Sequence, residues 1–516
     1  MDRPVRHIVI VGGGTAGWLT AGVLAAEHRA DRPGGLRVSV VESPDVPIIG
    51  VGEGTWPTIR DTLHRIGVSE ADFIRECDAS FKQGSRFDGW VHGGDGERYF
   101  HPFSLPDGHG EVDLATAWRA LAPQTPFAEW VCAQPHLCLH GRAPKQAATP
   151  EYAAVANYAY HLDAGKFAVF LRRHCVEKLG VQHVADHVLD VEMHEDGDIA
   201  ALRLRVQGRL DADLFVDCSG FQSMLLGQRL GVPAVPLRDV LFNDRALALQ
   251  VPYAHADAPI ASQTISTAQR DGWIWDIGLP TRRGIGYVYS SAHVDDATAA
   301  EAFHAYIART APGVDTPQPR QLAFEPGWRE RPWTRNCVAI GLSAGFIEPL
   351  EASAIALVEL SAAMLADRLP ATRADMDRLA PRFNAAFAHR WRRVIDFLKL
   401  HYVLSRRDGD YWRAHRDAAS MPDRLAELLA IWKHHSPSRY DLDRVDEVFP
   451  SASWQYILYG MGFVPAPPAG PSRFADTERA AAFVDGTAQR TRRMLAALPM
   501  HRDLLDHIAR HGLPRI

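Results

Sequence analysis

Cysteine is scarce in this chain: six residues in 516, at positions 77, 132, 138, 175, 218 and 337, with no C-x-x-C spacing among them. That argues against a disulfide framework and a cysteine-based zinc site, and with Cys218 and Cys337 inside apolar runs that read as core strands, reduced thiols and no metal are expected. Long apolar runs are missing too. None approaches the ~18 residues of a membrane span. The N-terminus reads as a strand rather than a signal peptide, so the expectation is a cytoplasmic protein with no membrane partner. Nor is there an excess of basic charge: 56 Lys and Arg against 62 Asp and Glu leave −6, which gives no footprint for nucleic acid. Internal repeats are absent. A single linker-like stretch, Pro465 to Pro471, is expected to separate two parts of a helical cap.

What is there is ample for a large core: the chain is 47% hydrophobic and 23% charged, about three domains' worth by length. It opens on a nucleotide fingerprint. His7-Ile8-Val9-Ile10-Val11 is a β-branched run fit for a buried parallel strand, Gly12-x-Gly14-x-x-Gly17 follows it, and Trp18 to Leu24 is an apolar helical stretch. In that strand–turn–helix order Gly12 permits the tight turn, Gly14 lets backbone approach a pyrophosphate, and Gly17 lets helix pack on strand. A second strand, Val38 to Val41, ends in Glu42, an acid suited to ribose hydroxyls and repellent to an extra phosphate.

Two later apolar strands, Asp213 to Gly220 and Asn336 to Gly341, stop at small residues and would return the chain to the nucleotide end of the same sheet. This fits FAD better than a nicotinamide. Residues 1–60, about 150–235 and about 320–370 carry these alternating signals, whereas about 75–145 and 236–315 read as mixed strand and loop suited to a substrate region. Residues 1–370 are therefore expected to hold an FAD module interleaved with a substrate region. Residues 371–516 are expected to form a mostly helical substrate cap, with helices over Leu379 to Leu404, Leu425 to Trp432 and Ala480 to Leu498.

Three segments carry candidate chemistry. In Gly272-Trp273-Ile274-Trp275-Asp276-Ile277 two tryptophans share one face of a strand, which by itself also suits plain sheet packing. In Gly345 to Ile355 a loop runs into a helix expected to begin near Pro349. Its unpaired N–H groups at Ser353 and Ala354 suit a small anion such as halide, while Glu348 and Glu351 also fit as ordinary helix-start acids. Ser69 to Asp72 resembles a capping box, and Phe73, Ile74, Cys77 and Phe81 follow at helical spacing. That pattern places Lys82 beside an apolar stripe at a helix end, either reactive or merely snorkelling.

These motifs together resemble the flavin-dependent halogenases of the tryptophan-halogenase family, from about residue 6 to at least residue 460. The resemblance rests on Gly12 to Trp18, on Val51-Gly52-Glu53-Gly54-Thr55-Trp56-Pro57, on Ser80-Phe81-Lys82 and on Tyr99-Phe100-His101-Pro102-Phe103. It extends to Tyr160-His161-Leu162-Asp163, Asp217 to Phe221 and Gly345 to Glu351. It implies an α/β fold: a Rossmann-like FAD module of the flavin monooxygenase type, with an interleaved substrate domain and a helical C-terminal region. The flavin site it implies uses Gly12, Gly14, Thr15, Ala16, Gly17, Glu42, Val51, Gly52, Glu53, Val188, Leu342 and Ile355. Reduced FAD from a separate flavin reductase would oxidise chloride or bromide, held at Ser353 and Ala354, to hypohalous acid. Lys82 would receive the oxidant by hydrogen bonding or as a haloamine. Glu351 would polarise it or take the ring proton, His101 and Phe103 would hold the aromatic ring, and Trp273 and Trp275 would screen the flavin from organic substrate.

The chain departs from the family in three places. Gly278 stands where the W-x-W-x-I-P motif has proline, Glu351-Ala352-Ser353-Ala354 replaces Glu-Ser-Thr-Gly, and the C-terminal region lacks a recognisable clamp for an amino acid's charged end. The expected substrate is thus an electron-rich aromatic, an indole first, and the expected partners are the reductase and, as an option, a second copy in a homodimer. The alternatives are a flavin aromatic hydroxylase, disfavoured by Gly341-Leu342 where such enzymes carry Gly-Asp, or an FAD-binding protein without turnover.

Overall fold

The fold is that of a computed structural model describing residues 4–46, 50, 52–466, 470 and 474–515. The chain divides into two compact units, each assembled from three stretches. The first takes Met1–Ala79, Leu162–Leu237 and Glu325–Trp391; the second takes Ser80–His161, Arg238–Phe324 and Arg392–Ile516. Residues 371–516 are thereby shared, the break falling inside the long helix Arg373–Val403.

The first unit is built on a six-stranded sheet in the order Trp333–Thr334, Cys337–Ala339, Leu214–Asp217, His7–Val11, Arg37–Glu42, Gln182–Ala185. All its pairs are parallel except the first. Both late strands foreseen in the sequence join His7–Val11 here, as crossover topology requires. The central strand is buried along its whole length, which is why it reads as a continuous β-branched run rather than an alternating one. Helices Thr15–Glu27, Ala164–Leu179 and Ser353–Asp367 pack together, and an antiparallel three-stranded sheet from Val188 to Asp211 adds Ile199, Leu202 and Leu204 to the core of Val9, Val11 and Phe215.

The second unit is built on a seven-stranded sheet in the order Arg320–Ala323, Arg245–Pro252, Arg282–Tyr289, Gly272–Gly278, Thr264–Gln269, Gly84–Asp88, Arg98–Pro102. One face packs Leu247, Ile274, Ile285 and Tyr287 on Phe303 and Ile307 of helix Asp296–Thr310. The regions read as strand and loop also hold helices: Leu114–Leu121, Phe127–Val131 and Gln134–Leu139, too brief to show a helical period, and Asp296–Thr310, a full helix that the reading of 236–315 missed. The three C-terminal helices foreseen are present as Arg373–Val403, Asp423–Trp432 and Thr477–Ala497, joined by Ser451–Gly460 and His501–His511. Within the linker-like stretch, Pro467, Pro468, Ala469 and Pro471 lie outside the described residues. All six cysteines are buried and unbridged, and among the described residues no helix is long and apolar enough to cross a membrane.

Trp275 pairs in register with Gly286, and a methyl group on Gly286 would lie 2.1 Å from the Trp275 ring. The indole therefore lies across the neighbouring strand, and glycine there is a packing requirement. Gly286→Ala has to displace that ring, an overpacking cost of about 1–3 kcal/mol, and is expected to lower the thermal midpoint. A variant melting with the wild type would show that the ring swings aside freely.

Candidate active site

In the first unit, the turn after His7–Val11 uses its three glycines differently. A Cβ on Gly12, whose φ is +118°, would sit 2.1 Å from the Cys218 carbonyl oxygen, and one on Gly17 would sit 1.9 Å from that of Gly12. Chain geometry alone demands both. A Cβ on Gly14 would meet no described atom within 4 Å, so the backbone there faces open space. Gly14 is also the N-cap of helix Thr15–Glu27, which has no capping side chain and no acid in its first turn. Unpaired N–H groups of Thr15, Ala16 and Gly17 beside open space are what a pyrophosphate needs.

Glu42 ends its strand beside this turn, its side chain 2.3 Å from where a Gly13 Cβ would be, and it pairs with His183 Nε2 at 2.8 Å and Arg172 at 3.5 Å. A Cβ on Gly341 would lie 2.7 Å from Ala16, so Leu342 arrives against the same helix. Val51 lies outside the described residues. Gly52 precedes the strand Glu53–Gly54, and burial pushes the Glu53 carboxyl up to about 7. Val188 opens a strand of the three-stranded sheet and packs against the core of Val9, Val11 and Val41.

The expected helix start at Pro349 is wrong by four residues. The Ala352 N–H closes a turn onto the Pro349 carbonyl at 3.0 Å, Ala352 takes a left-handed conformation with φ 55°, and the helix begins only at Ser353. Glu348 and Glu351 are thus buried before the helix rather than being its solvated first-turn acids. Ser353 and Ala354 take its first two positions, with Ile355 buried behind them. Sequence reasoning missed two supports here. The Trp56 indole N–H donates to the Glu351 carbonyl at 2.7 Å, and Glu359 accepts from Thr62 Oγ1 at 2.6 Å and Thr58 Oγ1 at 3.4 Å.

In the second unit, Lys82 is not at a helix end. Ser69 does cap its helix, its Oγ accepting from the Asp72 N–H, but the helix stops at Glu76 and Lys82 ends the edge strand Ser80–Lys82, paired antiparallel with Ala159–Leu162. The residue is 1% exposed, which removes the snorkelling alternative, and its Nζ lies 5.4 Å from the Phe103 ring centroid. Opposite it stands Ala159, small enough to leave the amine room, and opposite Ser80 stands His161 on the same face. The strand is held along its length: Ser80 Oγ donates to the Gly278 carbonyl at 2.5 Å and the Gln83 N–H to that of Ser262 at 2.7 Å. Gly278 therefore takes part in this support, and the following turn runs Leu279-Pro280-Thr281-Arg282, closed by the Leu279 N–H on the Arg282 carbonyl at 2.8 Å.

His161 Nε2 meets Thr264 Oγ1 at 2.8 Å, and burial, then Lys82 and His501, hold the ring well below its usual pKa. His161 falls inside a quoted motif, yet the residue type alone gave no reason to single it out. His101 bonds Ser453 through Nε2 at 2.9 Å and packs near Phe397 and Phe449. Trp273 is fully buried against Trp90, with centroids 6.3 Å apart, while Trp275 is partly exposed.

A strand–turn–helix cradle for a dinucleotide in the first unit, and a buried lysine beside an aromatic ring in the second, define a flavin-type enzyme. The family model for tryptophan halogenases matches residues 7–476, and the chain belongs to that family. It is similar to tryptophan 6-halogenase of Streptomyces toxytricini, 34% identical over 96% of this chain and 97% of the relative, and to tryptophan 7-halogenase of Lentzea aerocolonigenes, 32% identical over 99% and 100%. Among solved structures, the tryptophan halogenase of Shewanella frigidimarina superposes with a TM-score of 0.95 at 49% identity over the whole of both chains. A flavin-dependent halogenase of Brevundimonas does so with 0.86 at 35% over 98% and 99%. The protein is accordingly a flavin-dependent halogenating enzyme.

Burial raises the Glu359 carboxyl from its ordinary 4.5 to about 8, outweighing the two threonine hydrogen bonds that favour its ionised form. The folded protein therefore keeps a proton there that the unfolded chain releases above 4.5, and stability falls as pH rises from that value towards 8. Glu359→Gln, which keeps an acceptor for Thr62, is expected to flatten that decline in urea titrations at pH 5, 6.5 and 8. A slope equal to the wild type's would contradict the neutral carboxyl.

Proposed function

We propose that this enzyme halogenates an indole or similarly electron-rich aromatic with reduced FAD delivered by a separate flavin reductase, using Lys82 to present the oxidant. The single observation that carries this reading is the burial of Lys82 on a pinned strand beside Phe103. A long, flexible side chain ordinarily keeps its amine in water, and a lysine held out of it has become a reagent in other settings too.

Bound FAD supplies, with oxygen, the two-electron oxidation that turns halide into hypohalous acid. The cradle suits it: Gly12 and Gly17 shape the turn, Gly14, Thr15 and Ala16 present backbone to the pyrophosphate, and Glu42 faces the ribose. Val51, Gly52, Glu53, Val188, Leu342 and Ile355 contribute to the remainder of the flavin site, as in the family. The N–H groups of Ser353 and Ala354 hold the halide. A helix terminus offers at most about 2 kcal/mol to an anion, roughly 30-fold in affinity, so halide binding is weak. Lys82 then either donates a hydrogen bond to hypohalous acid or exchanges with it. In the exchange an N–X bond forms, the O–X bond breaks and water leaves. Glu351 accepts the proton that the ring loses on substitution. His101 and Phe103 hold the ring, and Trp273 and Trp275 screen the flavin from organic substrate. The unbridged cysteines suit a reducing cytoplasm.

Lys82→Ala is expected to abolish product while leaving FAD binding intact, since the residue lies outside the nucleotide turn. Mass spectrometry with reductase, FAD, an indole and equal chloride and bromide reads both this and the halide choice, with brominated product at least equal to chlorinated. Retention of a third of wild-type product by Lys82→Ala would remove the lysine from the reaction.

The helix Ser451–Gly460 packs on the strand that carries His101 and has no charged residue along its length. Burying the two charges of an amino acid substrate without partners costs about several kcal/mol. Indole is therefore expected to exceed free tryptophan in kcat/KM under one reductase system, and a clear preference for tryptophan would reveal a recognition cluster elsewhere in the helices.

A further inference from the structure

The first residues of the last helix, His501–His511, lie beyond the stretch that the family model matches, yet they reach the strand of the catalytic lysine. His501 is buried at the helix start, and its Nε2 accepts the backbone N–H of Phe81, next to Lys82, at 3.0 Å. Its Nδ1 lies 3.1 Å from the Ile260 carbonyl oxygen. A carbonyl can only accept and a peptide N–H can only donate, so both contacts exist together in one form of the ring alone: neutral, with the proton on Nδ1. Burial supports that form, holding the ring down to about 4 against the raising effect of the Ile260 carbonyl, with Arg502 adding to the depression.

The surroundings make the contact a positioning device rather than an incidental one. Ser80–Lys82 is three residues long, with Ala159–Leu162 along one side. The N–H groups of Phe81 and Gln83 alternate with those of Ser80 and Lys82 along the strand; Gln83 is taken by the Ser262 carbonyl and Phe81 by the imidazole. His501 and Arg502 also bind the segments that support this strand: the His501 N–H donates to the Gly141 carbonyl at 2.8 Å, and Arg502 donates to the carbonyls of Ala258 and Pro280.

We propose that His501 is a positioning residue for halogenation, its Nδ1–H tautomer fixing the peptide of Phe81 and thereby the direction in which the Lys82 amine is presented. The inference rests on Lys82 being the group that presents the oxidant. His501→Phe keeps the ring volume and removes both hydrogen bonds, whereas His501→Gln keeps an acceptor for the Phe81 N–H.

The test measures steady-state halogenation of indole and amide hydrogen exchange by mass spectrometry in wild type and both variants of the full-length enzyme. In His501→Phe the expected result is kcat about tenfold to a hundredfold lower, KM for indole and bromide within about twofold, and faster exchange confined to the peptide spanning Phe81. His501→Gln should recover most of both. Unchanged exchange or unchanged kcat in His501→Phe overturns the proposal, as does a His501→Gln variant no better than His501→Phe. Should His501→Phe fail to fold, the imidazole 15N shifts of the unaltered protein decide: a neutral Nδ1–H ring at pH 6 is expected, and an Nε2–H or cationic ring overturns it. Lys82→Ala run in parallel separates the two readings. Product from that variant ends the lysine assignment and this one with it, whereas an inactive Lys82→Ala beside an unimpaired His501→Phe ends the positioning role alone.

Discussion

An amine that is 1% exposed can be aimed only by backbone that does not move, and the strand Ser80–Lys82 is too short to hold itself. Three residues pair with Ala159–Leu162, and further support comes from hydrogen bonds to segments distant in sequence: Gly278, Ser262 and His501. Each closes a polar group of the strand that would otherwise be buried unpaired, a loss of about 1–3 kcal/mol apiece. Satisfying the backbone and fixing the lysine are thus one requirement, which is why the surrounding residues are held so closely.

The first unit meets a different constraint, backbone approaching backbone. Gly12 and Gly17 are obligatory because carbonyl oxygens occupy the space a side chain would need, while Gly14 is open. The same closeness recurs where Gly341 meets Ala16, bringing the late strand onto the helix that starts at the turn. Around the start of helix Ser353–Asp367 the support is polar instead. Trp56 fixes the Glu351 carbonyl, Thr58 and Thr62 hold Glu359, and the left-handed Ala352 sets where the helix begins. Ala352 stands at the N-cap and offers no side-chain acceptor, so no side chain there competes for the backbone N–H groups that open the helix.

What the sequence by itself determined was whatever depends on neighbours in the chain. The run His7–Val11, its glycines and the following helix are local, and so is the alternation that sets Trp273 and Trp275 on one face of their strand; the structure has them all as read. The family motifs pointed to Lys82 and Glu351 as candidates, but not to their settings. Phe73, Ile74, Cys77 and Phe81 share a helical spacing by coincidence: the helix ends at Glu76, and pairing with residues some eighty positions later turns Lys82 into part of a strand. Tertiary structure also decided that the acids at 348 and 351 precede their helix, because Ala352 carries no local signal for a left-handed turn. Most of all it decided His501, 420 residues from Phe81, where only the folded chain brings a carbonyl and a peptide N–H to opposite sides of one imidazole and so fixes its proton.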